Sequence, residues 1–254
     1  MEVTVLASGS KGNSTLIKTK NKLILVDAGM NMKYLETKLR EIEVLLKDID
    51  YIIITHTHSD HISSLPVLIK TIHPTVIVTK KMLKDLSILN EYDQVLFLEN
   101  DLEIDNLKIE SIPTSHDAID SRGYIISEDN TSVVIITDTG YLNKKYFDKL
   151  YNKDLYIFES NHDIEMLLHG RYPKWLKQRV LSDVGHLSNQ SASYYLSKLI
   201  GPNTKKIILA HLSEENNTPD MALDSIKEYF SQENIEFTNI VIANQFEITE
   251  RTKI

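Results

Sequence analysis

ITHTHSDHI, residues 54–62, places three histidines and one aspartate between His56 and His61. The chain has nine histidines and no cysteine, so a third of its imidazoles fall in this stretch. The preceding YIIITH (51–56) is a short, β-branched-rich apolar run of the kind that forms a buried strand. Just beyond a strand end, His56 and His58, two positions apart, can aim both imidazoles at one metal. The next turn can then send the Asp60 carboxylate and His61 to a second metal nearby. Imidazole and carboxylate without thiolate suit zinc, manganese or iron(II) rather than a structural zinc knot. A lone histidine here would be read as a capping or solvated residue. Three with an aspartate, directly after a buried strand, point to metal.

Working outward, runs of the same kind recur at EVTVLA (2–7), KLILVDA (22–28), TVIVTK (75–80), LKIESIP (107–113), TSVVIITD (131–138), DLYIFES (154–160), KKIILAH (205–211) and TNIVIAN (238–244). Helical patterns lie between several of them. Met32, Leu35, Leu39, Ile42 and Leu46 keep 3-4-3-4 spacing over 32–46, LPVLIKTI follows the histidine motif, and SNQSASYYLSKLIG has a capping serine and Gly201 at its stop. From about residue 95 to 138 the strands are expected in antiparallel succession. The expected fold is α/β, with helices flanking two sheets in layers. Asp138, Glu159 and His211 sit, like His56, at or just beyond strand ends, where open α/β sheets place their sites. His116 in IPTSHDA follows another strand. A strand-terminal aspartate before Thr-Gly can be a plain turn former, but the joint placement lifts all of these residues as ligand candidates.

Composition narrows the setting. At 254 residues, with 42% hydrophobic and 25% charged residues, the chain is expected to be one domain, 1–254, with no linker-like stretch. It has no apolar run of membrane-spanning length, and MEVTVLASGS lacks the basic region and apolar core of a signal peptide. Without cysteine there are no disulfides. A cytoplasmic protein with no membrane partner is expected. The net charge of -8 argues against extended duplex binding but leaves a local phosphate site untouched. Amphipathic segments such as 32–46 could face the core or a partner, so a homodimer is compatible.

HxHxDH followed by a histidine, an aspartate and a late histidine resembles the metallo-β-lactamase fold, an αββα four-layer sandwich, along the whole chain. The resemblance implies two divalent metal ions (Zn, Mn or Fe). His56, His58 and His116 would hold one, Asp60, His61 and His211 the other, with Asp138 and a hydroxide between them. Asp27 in LVDAG matches the family's early aspartate, which supports the metal loop. The family hosts many reactions, so fold alone selects none. β-Lactamases of the best-known subclass use a cysteine ligand, and RNA-processing relatives carry a large insert for which Asp138 and His211 stand too close in sequence. FES (158–160) with Glu159, and the GHLSNQSA stretch with His186, resemble the pair that in tRNase Z donates a proton during phosphodiester cleavage; thioester and lactone hydrolases of the family do not generally show it. LASGSKGNS, SHDA, TDTGY, FESNHD, GRYP, GHLSN and LAHLS together are similar to the YycJ/WalJ group of bacterial exonucleases, which degrade DNA from a 5′ end.

The resemblance therefore implies a phosphodiesterase, a 5′-3′ DNA exonuclease, whose partner is single-stranded DNA or DNA 5′ ends. The bridging hydroxide, oriented by Asp60, would attack phosphorus in line, and His186, kept charged by the neighbouring Glu159, would protonate the leaving alkoxide. Cyclic nucleotides or other small phosphodiesters, or RNA in the manner of tRNase Z, are alternative substrates for the same site. A scaffold protein without turnover or an ester hydrolase would not need the acid pair. Asn161, His162, Arg171 and Ser188 are candidate substrate contacts. RYPKWLKQR (171–179) interleaves four cations with Tyr172 and the only tryptophan; it reads equally as a nucleic-acid surface or as a basic helix face with a buried Trp175. SGSKGNS could be an anion-binding nest or a plain tight turn. His73 and His169 have no motif company.

Overall fold

The apolar runs assemble into two seven-stranded sheets in a computed structural model that describes residues 1–254. The first half of the chain builds one sheet from β1 (Glu2–Ala7), β2 (Ser14–Lys18), β3 (Leu23–Val26), β4 (Tyr51–Ile53), β5 (Thr75–Val78) and β6 (Val95–Phe97). The second is built from β7 (Asp101–Ile104), β8 (Leu107–Pro113), β9 (Arg122–Glu128), β10 (Thr131–Ile136), β11 (Leu155–Glu159), β12 (Lys206–Ala210) and β13 (Ile240–Ile242), after which β14 (Thr252–Lys253) returns to the edge of the first beside β1. Each sheet changes from antiparallel to parallel pairing partway across. β1–β2–β3 are antiparallel and β3 to β6 parallel; β7 to β10 are antiparallel and β10 to β13 parallel.

Three apolar layers hold the sandwich together. Val3, Ile24, Ile53, Tyr124, Ile126 and Ile208 lie between the sheets. Leu35, Leu39, Leu65 and Leu68, from α1 (Met32–Glu41) and the segment after the histidine motif, cover the outer face of the first sheet. That segment comprises α2 (Ser59–Ile62) and α3 (Leu65–Thr71). Across the second sheet come α4 (Phe147–Leu150), α5 (Ile164–His169), α6 (Lys174–Val180), α7 (Asn189–Leu199) and α8 (Pro219–Gln232). Leu196 and Leu199 of α7 and Ile226 and Phe230 of α8 pack against its outer face. The order is helices, sheet, sheet, helices, as the αββα expectation has it. No helix is long and apolar enough to cross a membrane.

Three sequence expectations are corrected. The helix expected over 32–46 ends at Glu41, because Glu43 takes a left-handed backbone (φ 57°) and the amides of Ile42 and Val44 both return to Leu39 O. Leu46 keeps its place in the apolar spacing from a 3-10 turn instead. β6 is not part of the antiparallel run; it pairs in parallel with β5 in the other sheet. β2 and α8 have no counterpart in the sequence reading, although Thr218 followed by Pro219 caps α8 in the ordinary way.

Candidate metal centre

The parallel strands of both sheets point their C-terminal ends at one place. β4 delivers His56 and His58 and then, through α2, Asp60 and His61; β8, β10, β11 and β12 deliver His116, Asp138, Glu159 and His211. The two sheets are tied together here by the histidine loop itself. Tyr124 of β9 donates its hydroxyl to Ile54 O at 2.6 Å, and the Arg122 amide donates to Thr55 O at 2.9 Å. Asp27, Asp138 and His211, each following a strand, adopt left-handed backbone angles (φ 62°, 55° and 57°), which non-glycine residues take only when their surroundings impose it. Gly29 lets the LVDAG turn lie against the same loop. A Cβ there would sit 1.5 Å from Asp60 O, while the Ala28 amide donates to His61 O and the Asn13 amide to Asp60 O, both at 2.8 Å.

The side chains converge. The ligating atoms of His56, His58 and His116 lie within 4.8 Å of one another, and so do those of Asp60, His61 and His211. Asp138 stands between the groups, with Oδ2 3.2 Å from His61 Nε2 and Oδ1 3.4 Å from His211 Nε2 and 3.8 Å from His116 Nε2. Four imidazoles have their Nδ1 engaged from behind, leaving Nε2 for the centre. His61 Nδ1 faces Asp27 Oδ2 at 2.8 Å, His211 Nδ1 faces Glu159 Oε1 at 2.9 Å, His116 Nδ1 faces Gly185 O at 3.2 Å, and His56 Nδ1 faces Thr55 Oγ1 at 3.1 Å. The Nε2 atoms of His56 and His211 and Oδ2 of Asp138 are buried with no hydrogen-bond partner. Buried polar atoms are rarely left so. Orphaned nitrogen and oxygen atoms, converging on one place and, at the histidines, backed by hydrogen bonds at Nδ1, fit divalent cations.

Charge in the cluster says the same. Burial disfavours an imidazolium at His211, yet Asp138, Asp60 and Glu159 outweigh it and push the pKa up to about 10. At His61, burial is likewise overcome by Asp27 and Asp138, and the pKa lies well above the ordinary value. Burial would raise Asp138 and Asp60, but the neighbouring imidazoles hold both carboxyls well below the usual range. His56 and His116, where burial prevails, are shifted down and stay neutral. The surrounding carboxylates thus favour positive charge beside His61 and His211, the place that fits a metal cation.

Beside this cluster, the partly exposed His186 has its Nδ1 2.7 Å from Glu159 Oε1. Glu159 is fully buried and has four partners: His186, His211, the Thr139 amide (2.9 Å) and the Leu187 amide (3.2 Å). Burial would raise its pKa, but His186 and His211 bring it down to about 2. The sequence reading pairs Glu159 with His186 alone; its second bond, to His211, comes from the parallel β11–β12 register, which sets Glu159 opposite Ala210.

The remaining candidates fall on different ground. Asn161 donates to His211 O at 2.9 Å, and His162 is buried beside it with both ring nitrogens unpartnered, its pKa lowered by burial to about 4. Ser188 accepts from the Ser191 amide at 3.1 Å and so caps α7. Arg171 is exposed on the turn between α5 and α6, and no hydrogen bond or ion pair ties it to the cluster. His73 and His169 lie on the surface, paired with Asp93 and Glu165.

Asn13, Ser8 and Thr55 belong to the site without having been expected there. Asn13 Nδ2 reaches Asp60 Oδ2 (3.3 Å) and His61 Nε2 (3.0 Å), Ser8 Oγ accepts from the His211 amide (2.7 Å), and Thr55 donates its amide and hydroxyl to Asp27 (both 2.8 Å). The SGSKGNS turn is therefore a wall of the centre and no anion nest. Four of its amides are already bonded, Gly9 to Asn13 Oδ1, Lys11 to Gln245 Oε1, Gly12 to Gly9 O and Asn13 to Asp60 O, which leaves no converging set for an anion.

The chain belongs to the metallo-beta-lactamase superfamily, whose family model matches residues 7–211. Within it, the chain is 38% identical over 226 residues to the exodeoxyribonuclease WalJ of Streptococcus pneumoniae, covering 86% of this chain and 84% of that protein. It is 36% identical over 237 residues to the exodeoxyribonuclease YycJ of Bacillus anthracis, covering 91% and 90%. Among solved structures, the metallo-beta-lactamase fold protein YhfI of Bacillus subtilis shares the fold, with a TM-score of 0.72 at 19% identity and coverage of 98% and 99%.

Proposed function

We propose that this protein is a metal-dependent phosphodiesterase of the cytoplasm that acts as an exonuclease on DNA from a 5′ end. The observation that carries the proposal is the 2.7 Å Glu159–His186 hydrogen bond beside the histidine–aspartate cluster, because an ester or thioester hydrolase needs no such proton donor. The two exodeoxyribonuclease relatives support the choice of DNA.

In this proposal His56, His58 and His116 hold one divalent ion and Asp60, His61 and His211 a second, with Asp138 between them; zinc, manganese and iron all suit these donors. When bound, such ions supply Lewis acidity and a nucleophile at neutral pH. Asp60, its carboxylate steadied by Asn13, would orient the nucleophile for in-line attack on phosphorus. His186, whose Nδ1 is committed to Glu159, has Nε2 free to hand a proton to the leaving oxygen, a contribution of about 10²–10⁴-fold. His162 and Asn161, which lie beside His211, would contact the phosphodiester, with Ser188 and Arg171 as further contacts.

The test is hydrolysis by purified, metal-analysed protein of 5′-phosphorylated single- and double-stranded DNA, with added Mn²⁺ or Zn²⁺, beside cyclic mononucleotides and with His186→Ala as control. Stepwise shortening from the 5′ end that the control lacks is the expected result. Intact DNA with hydrolysed cyclic nucleotide would replace it with a small-substrate phosphodiesterase using the same residues.

A further inference from the structure

Helix α6 carries features the metal centre does not use. RYPKWLKQR (171–179) has four basic residues and no acid, in a chain whose net charge is -8. Trp175, the only tryptophan, is 66% exposed, more than any other large apolar side chain of the protein. The helix face is therefore not one that buries its tryptophan. Leu168, Leu181 and Val184, on either side of α6, are also exposed. Aromatic side chains are mostly buried in folded proteins, and exposed apolar clusters mark sites of interaction.

Two connections mount α6 on the rim of the metal centre. Arg179 forms a two-pronged ion pair with Asp117 (2.6 and 2.9 Å), and Asp117 Oδ1 is 3.5 Å from His116 Nε2 and 3.9 Å from His58 Nε2. At the end of α6 the His186 amide donates to Val180 O at 3.0 Å, and Gly185 lies so close that a Cβ on it would be 2.2 Å from Arg179 O. Trp175 and Arg179 are four residues apart on one helix face, with Cβ atoms about 5–6 Å apart. The indole thus stands one helical turn out from the residue that reaches the His58–His116 edge. Of the four cations, Arg179 is committed to Asp117 and Lys177 donates to Leu168 O at 2.7 Å. Lys174 and Arg171 are exposed and make no ion pair.

We propose that Trp175 is a stacking platform for an unpaired base, with Lys174 and Arg171 on the flanking phosphates, so that α6 holds a single nucleic-acid strand whose end enters the metal centre. The proposal rests on the phosphodiesterase reading above and names the form of substrate it takes. A ring beside free cations, with no acid in the segment, complements a polyanion that offers π-faces. Within a duplex the bases stack on one another, so only a terminal pair offers the ring such a face.

The experiment uses the metal-loaded protein with a short phosphorothioate oligothymidylate, chosen to resist hydrolysis, and an abasic phosphorothioate strand of equal length. Because the chain has one tryptophan, quenching of its emission reports contact with the ring directly. Saturable quenching by the thymidylate strand is expected, with an affinity about ten- to a hundred-fold above that of the abasic strand. Trp175→Ala should abolish that preference, measured by anisotropy of labelled strands, while Trp175→Phe keeps most of it. Lys174→Ala should weaken both strands alike and flatten the salt dependence. Absent quenching, or a base preference that survives in Trp175→Ala, would overturn the proposal. So would an emission shift with protein concentration alone, which would give the patch to a second copy of the chain. Base-dependent quenching without hydrolysis of any phosphodiester would sink the catalytic reading instead; hydrolysis without quenching would sink only the role of Trp175.

Discussion

Asp27 and Glu159 are the two buried carboxylates behind the metal centre, one on each sheet, and they are built alike up to a point. Each follows or ends a parallel strand, accepts a bond from a histidine Nδ1 (His61 at 2.8 Å, His211 at 2.9 Å), and accepts a backbone amide (Thr55 at 2.8 Å, Thr139 at 2.9 Å). Glu159 accepts a second amide, that of Leu187 at 3.2 Å, and the two carboxylates differ chiefly in one further partner. For Asp27 it is the Thr55 hydroxyl at 2.8 Å, and for Glu159 it is the His186 imidazole at 2.7 Å. A hydroxyl can only orient; an imidazole can orient, carry charge and give up a proton at its other nitrogen. One device for fixing a histidine thus serves as pure support on the first sheet. On the second it also couples to a residue able to do chemistry.

Glu159→Gln should cause the largest loss, because it disturbs both partners at once. Metal affinity is expected to fall about 10–100-fold through His211. Turnover should fall about a further 10²–10⁴-fold through His186, a part that excess metal does not restore. His186→Ala should show only the second loss, with full metal content by elemental analysis. Should that variant lose its metal instead, His186 is a ligand and the comparison fails. Asp27→Asn is the counterpart on the first sheet, expected to weaken metal binding about 10–100-fold in a chelator competition and to regain kcat at saturating metal. If it stays inactive with metal bound, Asp27 does more than support.

The smallest effect is a pH dependence. In metal-free protein the His211 pKa is raised to about 10 from an ordinary 6.5, so its stabilising charge is fully present below pH 6.5 and is lost as pH rises through about 10. Thermal melts of metal-free protein should decline across that window, and apparent metal affinity should rise with pH as the competing proton leaves.

The first sheet's share of the centre is legible in the sequence because it is local. One strand and one turn bring His56, His58, Asp60 and His61 together, so spacing alone exposes them. The second sheet's share, His116, Asp138, Glu159 and His211, is spread over four strand ends, and each residue taken alone has a bland explanation. Only their shared position at strand ends, and the resemblance of the surrounding motifs, draws them together. Asn13, Ser8 and Thr55 carry no such mark. Small polar residues beside turns have many uses, and what makes these three part of the site is the register by which β1, β3 and β12 meet the histidine loop. The apolar spacing overextends α1 for a related reason. Apolar spacing reports which residues face the core, and Leu46 faces it from a 3-10 turn as well as it would from a helix.

Tyr124 and Arg122 reach from the second sheet to the backbone of the histidine loop on the first, so the centre straddles a seam. The apolar layer between the sheets then acts as a ruler. Its packing sets how far the donors of one sheet stand from those of the other, and close-packed interiors transmit small changes of volume. Trimming Ile126 in that layer should alter how well the donors share an ion. Conversely, an ion held by donors from both sheets would act as a rivet through the sandwich, adding to the two hydrogen bonds that already cross the seam.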